Sequence, residues 1–327
     1  MRSPLLDLPG AVAADGIDRE VAAHYGSFNG EQRTLESGEG FVDLSHHDVA
    51  RVSGPDRLTW LHSLTTQHLE ALAPKVWTGV LILSPNGHVE HAFFGYDDGE
   101  AFTAFTEPGA AEALVTFLDR MRFMMRVEVA DVTEELAPTW RPRFPVVEEV
   151  AQQPSRNHGP YAGYELVPRD QLTAYAEAAG PACGLWAFEA LRIARGEPRL
   201  GLDTDHRTIP NEAGWIGPAV HLDKGCYRGQ ETVARVHTLG RPPRRLTLLH
   251  LDGSENRLPA VGAELLHGEK VVGFVGTSAR HHELGPIALA MVKRNVPLDV
   301  ELTVDGMPAA QEVIVDPEVG LHVRPLR

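Results

Sequence analysis

The sequence predicts an α+β protein that closes with a small antiparallel barrel or sandwich. Up to Val132, strand-like and helix-like runs alternate. From Arg244 onward only short β-type runs remain, punctuated by Gly, Pro, Asp and Asn. The length of 327 residues with 43% hydrophobic content allows two or three domains and a sizeable core.

In chain order, Gly40–Ser45 reads as a short strand. Ser53-Gly54-Pro55-Asp56 reads as a helix start, with Ser as cap, Pro in the first turn and Asp favoured by the helix dipole. Leu58, Leu61 and Leu64 then follow at helical spacing, so one stripe of Arg57–Leu69 faces a core. Val80–Leu83 and Val89–Phe94 form a hairpin about Ser84-Pro85-Asn86-Gly87, because Pro and Asn-Gly are strong turn chemistry. Ala101–Phe105 adds a strand. Ala111–Met125 is a helix with Leu114, Val115, Leu118 and Met125 on one side, and Arg126–Val132 alternates as a half-buried strand does. This order points to a ferredoxin-like unit. Pro138 to Pro168 holds surface connections, through Pro142, Pro145, Pro154 and Pro160, and a strand at its end. Gln171–Gly180 and Ala182–Arg195 are helices, the second stopped by Gly196 and Pro198. The last strands are Leu246–Leu251, Val271–Thr277, Ile287–Val292, Val300–Val304 and Val313–Val315. The expected division is residues 1–240, α+β in two subdomains, and 241–327, the barrel.

Thirty Lys and Arg against 45 Asp and Glu give a net charge of −15, which disfavours non-specific coating of nucleic acid or anionic membrane. Two cysteines cannot build a disulfide framework or supply the four thiolates of a typical iron–sulfur cluster. The N-terminus lacks the apolar core of a secretory signal, and no window approaches the ~18 apolar residues of a membrane span. The expectation is a soluble cytoplasmic protein with reduced thiols and no membrane partner.

Charge is nevertheless segregated. Lys224, Arg228, Arg235, Arg241, Arg244 and Arg245 face only one acid, Glu231, in the same stretch. Within it, Gly225 and Gly229 bracket Cys226. Glycines permit positive φ and close backbone approach, and neighbouring cations favour a thiolate, a better nucleophile or metal ligand. The alternative is a turn holding a small buried cysteine among solvated basic residues.

Lys224-Gly225-Cys226-Tyr227-Arg228-Gly229-Gln230-Glu231 resembles the K-G-C-[YF]-x-G-Q-E signature of YgfZ-type folate-binding proteins, relatives of the glycine-cleavage T protein, and matches every specified position. Similar agreement runs in order through His24-Tyr25-Gly26, Ser53-Gly54-x-Asp56-Arg57-x-x-Trp60-Leu61-His62, Pro198-Arg199-x-Gly201, Ile209-Pro210-Asn211-Glu212, and Thr277-Ser278 before Gly285-x-Ile287-Ala288-Leu289. The resemblance implies a T-protein-like folate-binding fold with ferredoxin-like subdomains around a central cavity, followed by a β-barrel. It implies a tetrahydrofolate-like ligand, no permanent metal, and a role in iron–sulfur assembly or repair affecting client cluster enzymes, including one that thiolates tRNA. It places Cys226 in the functional position, as nucleophile, transient ligand or reversibly oxidised thiol, supported by Lys224, Gly225, Tyr227, Gly229, Gln230 and Glu231.

Two positions depart from the T-protein pattern. That family carries two adjacent aspartates, one needed for aminomethyl transfer, where this chain has His91-Ala92. A neutral imidazole holds a cationic amine less well than a carboxylate does. The family's pterin-contacting glutamate falls at Ala194, which offers no acceptor. Aminomethyl or one-carbon transfer stays the alternative activity. Arg192, Arg195, Arg199 and Arg207 line either an anion-facing surface for a polyglutamate tail or a solvated helix face, and Arg192, Arg199, Arg228 and Arg235 are the candidate ligand contacts. His46-His47 and His281-His282 lack strong metal-ligand spacing, Asp203-Thr204-Asp205 reads as a turn, and Cys183 as core. A third reading is tRNA binding through Arg241, Arg244 and Arg245.

Overall fold

The structure, a computed structural model, describes residues 1–142, 163–254 and 256–321. The chain divides into two compact units, Met1–Val80 with Ala92–Phe188, and Leu81–His91 with Glu189–Arg327.

The first unit opens with a two-stranded ribbon, β1 (Val12–Ala13) and β2 (Ala22–His24), followed by α1 (Phe28–Glu36). Strands β3 (Phe41–Asp43) and β4 (Asp48–Ser53) come next, then α2 (Arg57–Leu64), β5 (Thr78–Leu83), β6 (Val89–Asp97), β7 (Ala101–Thr106), α3 (Ala111–Met121) and β8 (Glu128–Asp131). The five-stranded sheet has the order β5-β6-β7-β4-β8. Removing the edge strand β5 leaves the 2-3-1-4 order of a split βαβ unit, as the alternation of elements requires. A second sheet, β10-β9-β3-β11, combines β9 (Leu136–Trp140), β10 (Tyr164–Pro168) and β11 (Ala182–Cys183), with β11 parallel to β3. Helix α4 (Leu172–Ala179) lies between β10 and β11, and α5 (Leu185–Ala194) follows.

The motif around residues 53–62 has a structural explanation in this unit. Gly54 sits at φ +103°, and a Cβ there would lie 2.3 Å from the Arg126 carbonyl oxygen. Asp56 receives the Arg126 guanidinium at 2.6 and 3.0 Å, while Arg57 forms a two-point pair with the buried Asp97 at 2.7 and 2.8 Å. Trp60 is buried and donates to the Met121 carbonyl at 3.1 Å.

The second unit contains α6 (Gln230–Leu239) and a closed barrel, in the order β12-β15-β14-β13-β16-β17. Its strands are β12 (Arg244–Leu251), β13 (Glu264–His267), β14 (Lys270–His281), β15 (Gly285–Lys293), β16 (Leu302–Val304) and β17 (Met307–Val313). Side chains alternate between two cores, as a closed sheet demands. Leu249 and Leu251 join Leu265, Val275, Ala290 and Val304 in one. Leu246 and Leu248 join Ala190 and Ile193 of α5 in the other.

Several sequence-based boundaries need correction. Ser53 ends β4 rather than capping α2, which begins at Arg57, and Asp56 bonds Arg126 instead of the helix amides. Helix α3 stops at Met121; Phe123 lies at φ +40° and is 89% exposed, so Met125 is not on the helical stripe. Ala182 and Cys183 pair with β3, and the helix expected from 182 starts at Leu185. Strands β4 and β13 were absent from the sequence reading, and the last strand is Met307–Val313 rather than Val313–Val315. Pro145, Pro154 and Pro160 lie outside the described residues.

Arg244 is the electrostatic joint between β12 and the preceding loop. It bonds Asp205 at 2.6 and 3.0 Å and the buried Glu212 at 2.9 Å from both Nε and Nη2. Burial alone would raise the Asp205 carboxyl, but hydrogen bonds from Arg244 and Thr208 override it and hold it well below the usual range. A depressed carboxyl contributes stability above its unfolded pKa of about 3.9 and loses it as pH falls through the folded value. Urea unfolding should therefore show stability declining below about pH 4. Arg244→Ala should flatten that decline, and at neutral pH should cost about 3 kcal/mol or more by leaving Glu212 buried without its partner.

Candidate functional site

In the second unit, Cys226 lies on the loop that enters α6, and its side chain is exposed. The residues around it are fixed. Lys224 is buried, with Nζ 5.1 Å from the centre of the Tyr227 ring, a cation–π geometry. Tyr227 is itself buried, and burial pushes its hydroxyl up to about 12. Gln230 closes the loop by donating from Nε2 to the Lys224 carbonyl at 3.5 Å and from its backbone to the Tyr227 carbonyl at 3.2 Å. Glu231 is exposed in the first turn of α6, where the helix dipole favours a carboxylate.

The two motif glycines do different work. Gly229 adopts φ +80°, and a Cβ there would meet the Ser84 carbonyl oxygen at 2.6 Å and the Gly87 Cα at 2.9 Å. Gly87, at φ +82°, is equally constrained, since its Cβ would lie 2.7 Å from the Thr232 Cβ. The Asn86-Gly87 turn of the β5–β6 hairpin and the start of α6 thus touch backbone to backbone. Arg228 adds an ion pair to Glu90 at 2.9 Å, with both side chains 36% exposed. Gly225, by contrast, has open space around its missing side chain and no positive φ.

His91 follows Glu90 on β6 and is half-buried where Glu90 is exposed, as strand alternation requires. Burial lowers its pKa, Arg228 lowers it further, and Glu90 opposes both. At neutral pH it is therefore an uncharged imidazole.

Of the candidate ligand contacts, Arg235 is exposed on α6 and Arg228 pairs with Glu90. Arg192 is enclosed: it bonds Glu189, Asp203 at 3.0 Å, Thr277 at 2.5 Å and the Glu197 carbonyl at 3.0 Å. Arg199 is also buried, 3.5 Å from Glu189, and its backbone donates to Asp203. Asp203, read from sequence as a turn residue, is fully buried at the centre of this network. The basic segment is equally divided. Arg244 is engaged as described, and Arg245 is buried against the Lys293, Arg294 and Val296 carbonyls and Gln311, leaving Arg241 exposed.

Cys183 is buried on β11, and burial, reinforced by Glu31, pushes its thiol up to about 12. His46 lies 3.0 Å from Asp18, and His47 Nδ1 2.8 Å from the Thr106 carbonyl. His281 Nδ1 accepts from the Glu283 and Leu284 amides. Ala194 packs beside the outer barrel core. The sequence reading missed the Gly87–Gly229 contact and the Glu90–Arg228 pair. The only available signal was a glycine in each of two distant turns.

The fold is that of the glycine-cleavage aminomethyltransferase T. The crystal structure of that protein from Bartonella henselae superposes with a TM-score of 0.78 over 96% of each chain, at 18% sequence identity. No protein-family model matches the chain. Its relatives in sequence include aminomethyltransferases. The one from Streptomyces coelicolor is 26% identical over 322 residues, covering 86% of both chains, and one from a Nostoc species is 24% identical over 333 residues, covering 89% of this chain and 88% of the relative. A protein of Arabidopsis thaliana named as a chloroplastic transferase is 24% identical over 319 residues, covering 87% of this chain and 71% of its own. Among the described residues, no helix is long and apolar enough to cross a membrane.

The contrast between the glycines is measurable. Gly229→Ala should destabilise the protein by about 1–3 kcal/mol, from left-handed backbone strain and displacement of Ser84. Gly225→Ala should stay within about 0.5 kcal/mol of the parent. Chemical denaturation of both variants checks the pair.

Proposed function

We propose that this chain is a cytoplasmic accessory protein for iron–sulfur cluster assembly or repair. It would bind a tetrahydrofolate-like molecule on its aminomethyltransferase-type scaffold and act through Cys226. The observation that carries the reading is the placement of Cys226: an exposed thiol whose neighbours Lys224, Tyr227, Arg228 and Gly229 are all anchored. An exposed thiol on a fixed loop is suited to brief ligation of a metal or attack on an electrophile. With Cys183 buried, the chain offers clusters one accessible thiol, which fits transient contact with client proteins rather than permanent holding. The role in cluster biology rests on the signature at residues 224–231. tRNA would then be reached through a client enzyme, because Arg244 and Arg245 are consumed inside the fold.

The names of the relatives favour a second reading, tetrahydrofolate-dependent aminomethyl or one-carbon transfer. Against it stand the uncharged His91 and apolar Ala92 where the T protein has its aspartates, and Ala194 in place of the pterin-binding glutamate. In a strain that depends on this protein, Cys226→Ala at normal protein level should lower cluster-enzyme activity under oxidative stress several-fold. Retention of full activity would falsify the cysteine role. Turnover of an aminomethyl or N-methyl donor with added tetrahydrofolate would establish the transferase instead.

A further inference from the structure

We propose that the first unit contains a binding site for a divalent transition-metal ion, formed by His62, His68 and Glu70. This departs from the metal-free expectation drawn from the sequence, where the spacing H-x5-H-x-E carries no strong ligand signature.

The three residues are brought together by local backbone chemistry. His62 lies in the last turn of α2. At Thr65 the helix ends, with the Thr65 amide and hydroxyl both returning to the Leu61 carbonyl, at 3.0 and 2.7 Å. The chain then reverses, and Leu69 anchors it with a fully buried side chain. His68 and Glu70 flank that anchor, so both are carried over His62. The His62 and His68 rings stand edge to face with centroids 4.7 Å apart. One ligand atom from each of the three residues lies within 4.8 Å of the other two.

Around a tetrahedral ion with bonds of about 2.0–2.1 Å, neighbouring ligand atoms are roughly 3.4 Å apart. Closing the remaining gap takes side-chain rotation at half-buried His68 and exposed Glu70, both outside the packed core. Two imidazoles and a carboxylate, with no thiolate, suit Zn²⁺, Co²⁺, Ni²⁺ or Fe²⁺ rather than Mg²⁺, Ca²⁺ or Cu⁺. Three protein ligands leave a position for water, the open coordination of a reactive rather than a purely structural site.

One hydrogen bond makes the proposal sharply testable. The Leu69 amide donates to His62 Nδ1 at 3.3 Å. An ion at Nδ1 takes the lone pair that accepts this bond. An ion at Nε2 instead leaves the ring proton on Nδ1, which then faces the Leu69 N–H as a second donor. Occupancy and the Leu69 bond are therefore mutually exclusive, whichever nitrogen ligates.

The experiment is titration of the full chain carrying Cys226→Ser, which removes the exposed thiol as a competitor, with ZnCl2. Calorimetry gives the affinity and ¹⁵N-leucine labelling follows the Leu69 amide. Micromolar binding is expected, together with a shift of the Leu69 resonance. His68→Asn and Glu70→Gln, each checked for native circular dichroism, should weaken the binding about tenfold or more and leave Leu69 unmoved. Zinc affinity unchanged in both variants, a Leu69 resonance that stays put at saturation, or absence of binding below millimolar zinc would each overturn the site.

Discussion

The second unit is organised around one buried cation. Arg192 is a guanidinium with almost no solvent contact, and such a group costs several kcal/mol to bury unless its donors are all met. They are met by Glu189 from its own helix, by Asp203 and the Glu197 carbonyl from the loop beyond, and by Thr277 from β14. Asp203 answers in kind, accepting from the Arg199 amide and from both the amide and hydroxyl of Thr277. That approach is possible because residue 276 is glycine: a Cβ there would lie 2.2 Å from Asp203 Oδ1. The network ties α5, the 197–205 loop and the barrel into a single body. Removing Arg192 takes from the fully buried Asp203 the guanidinium that is bonded to it.

From this anchor, successive braces lead to the thiol. Arg244 fixes Asp205 and Glu212 to β12. Asn211 donates to the Val233 carbonyl of α6 at 3.4 Å, and the Val89 amide bonds the Thr208 carbonyl at 2.9 Å. The hairpin turn then seats against Gly229. The dispersed motifs noted in the sequence, at 198–201, 209–212, 224–231 and 277–278, are largely parts of this one mechanical chain. Several of their side chains are bonded to the rest of this unit, and Cys226 is an exposed thiol on the loop.

How much of this was legible depended on the range of the signal. The hairpin at 84–87, the barrel after 244 and the stop at Gly196 follow from turn residues and local periodicity, and the sequence carries them. Strand β4 escaped because Asp48–Ser53 is mixed in polarity and pairs only at long range, with β7 and β8, whereas β13 escaped because Glu264–His267 is only four residues long, although it pairs with its neighbour β14 as well as with β16. The geometry around Cys226 was not legible in the sequence. A basic stretch reads as a patch only if its charges reach solvent, and Lys224, Arg244 and Arg245 are drawn inward by partners 32 to 66 residues away or by an aromatic ring. Nothing in the local sequence announces Asp205, Glu212 or Gln311 as those partners.

The same redistribution bears on which chemistry the scaffold supports. A carboxylate holds a substrate's cationic amine by charge and hydrogen bonding more strongly than a neutral ring does. At the corresponding place this chain has an imidazole whose pKa burial lowers, while the adjacent carboxylate, Glu90, is on the opposite face and paired with Arg228. Replacing a charge by a neutral ring removes the attraction that selects the substrate, yet leaves the surrounding backbone intact, since Gly87 and Gly229 still demand the same close approach. A chain altered in this way keeps that backbone contact and lacks a carboxylate at residues 91 and 92. The exposed thiol on the loop entering α6 is that of Cys226, and a sulfur nucleophile answers to oxidants and soft metal ions rather than to amines.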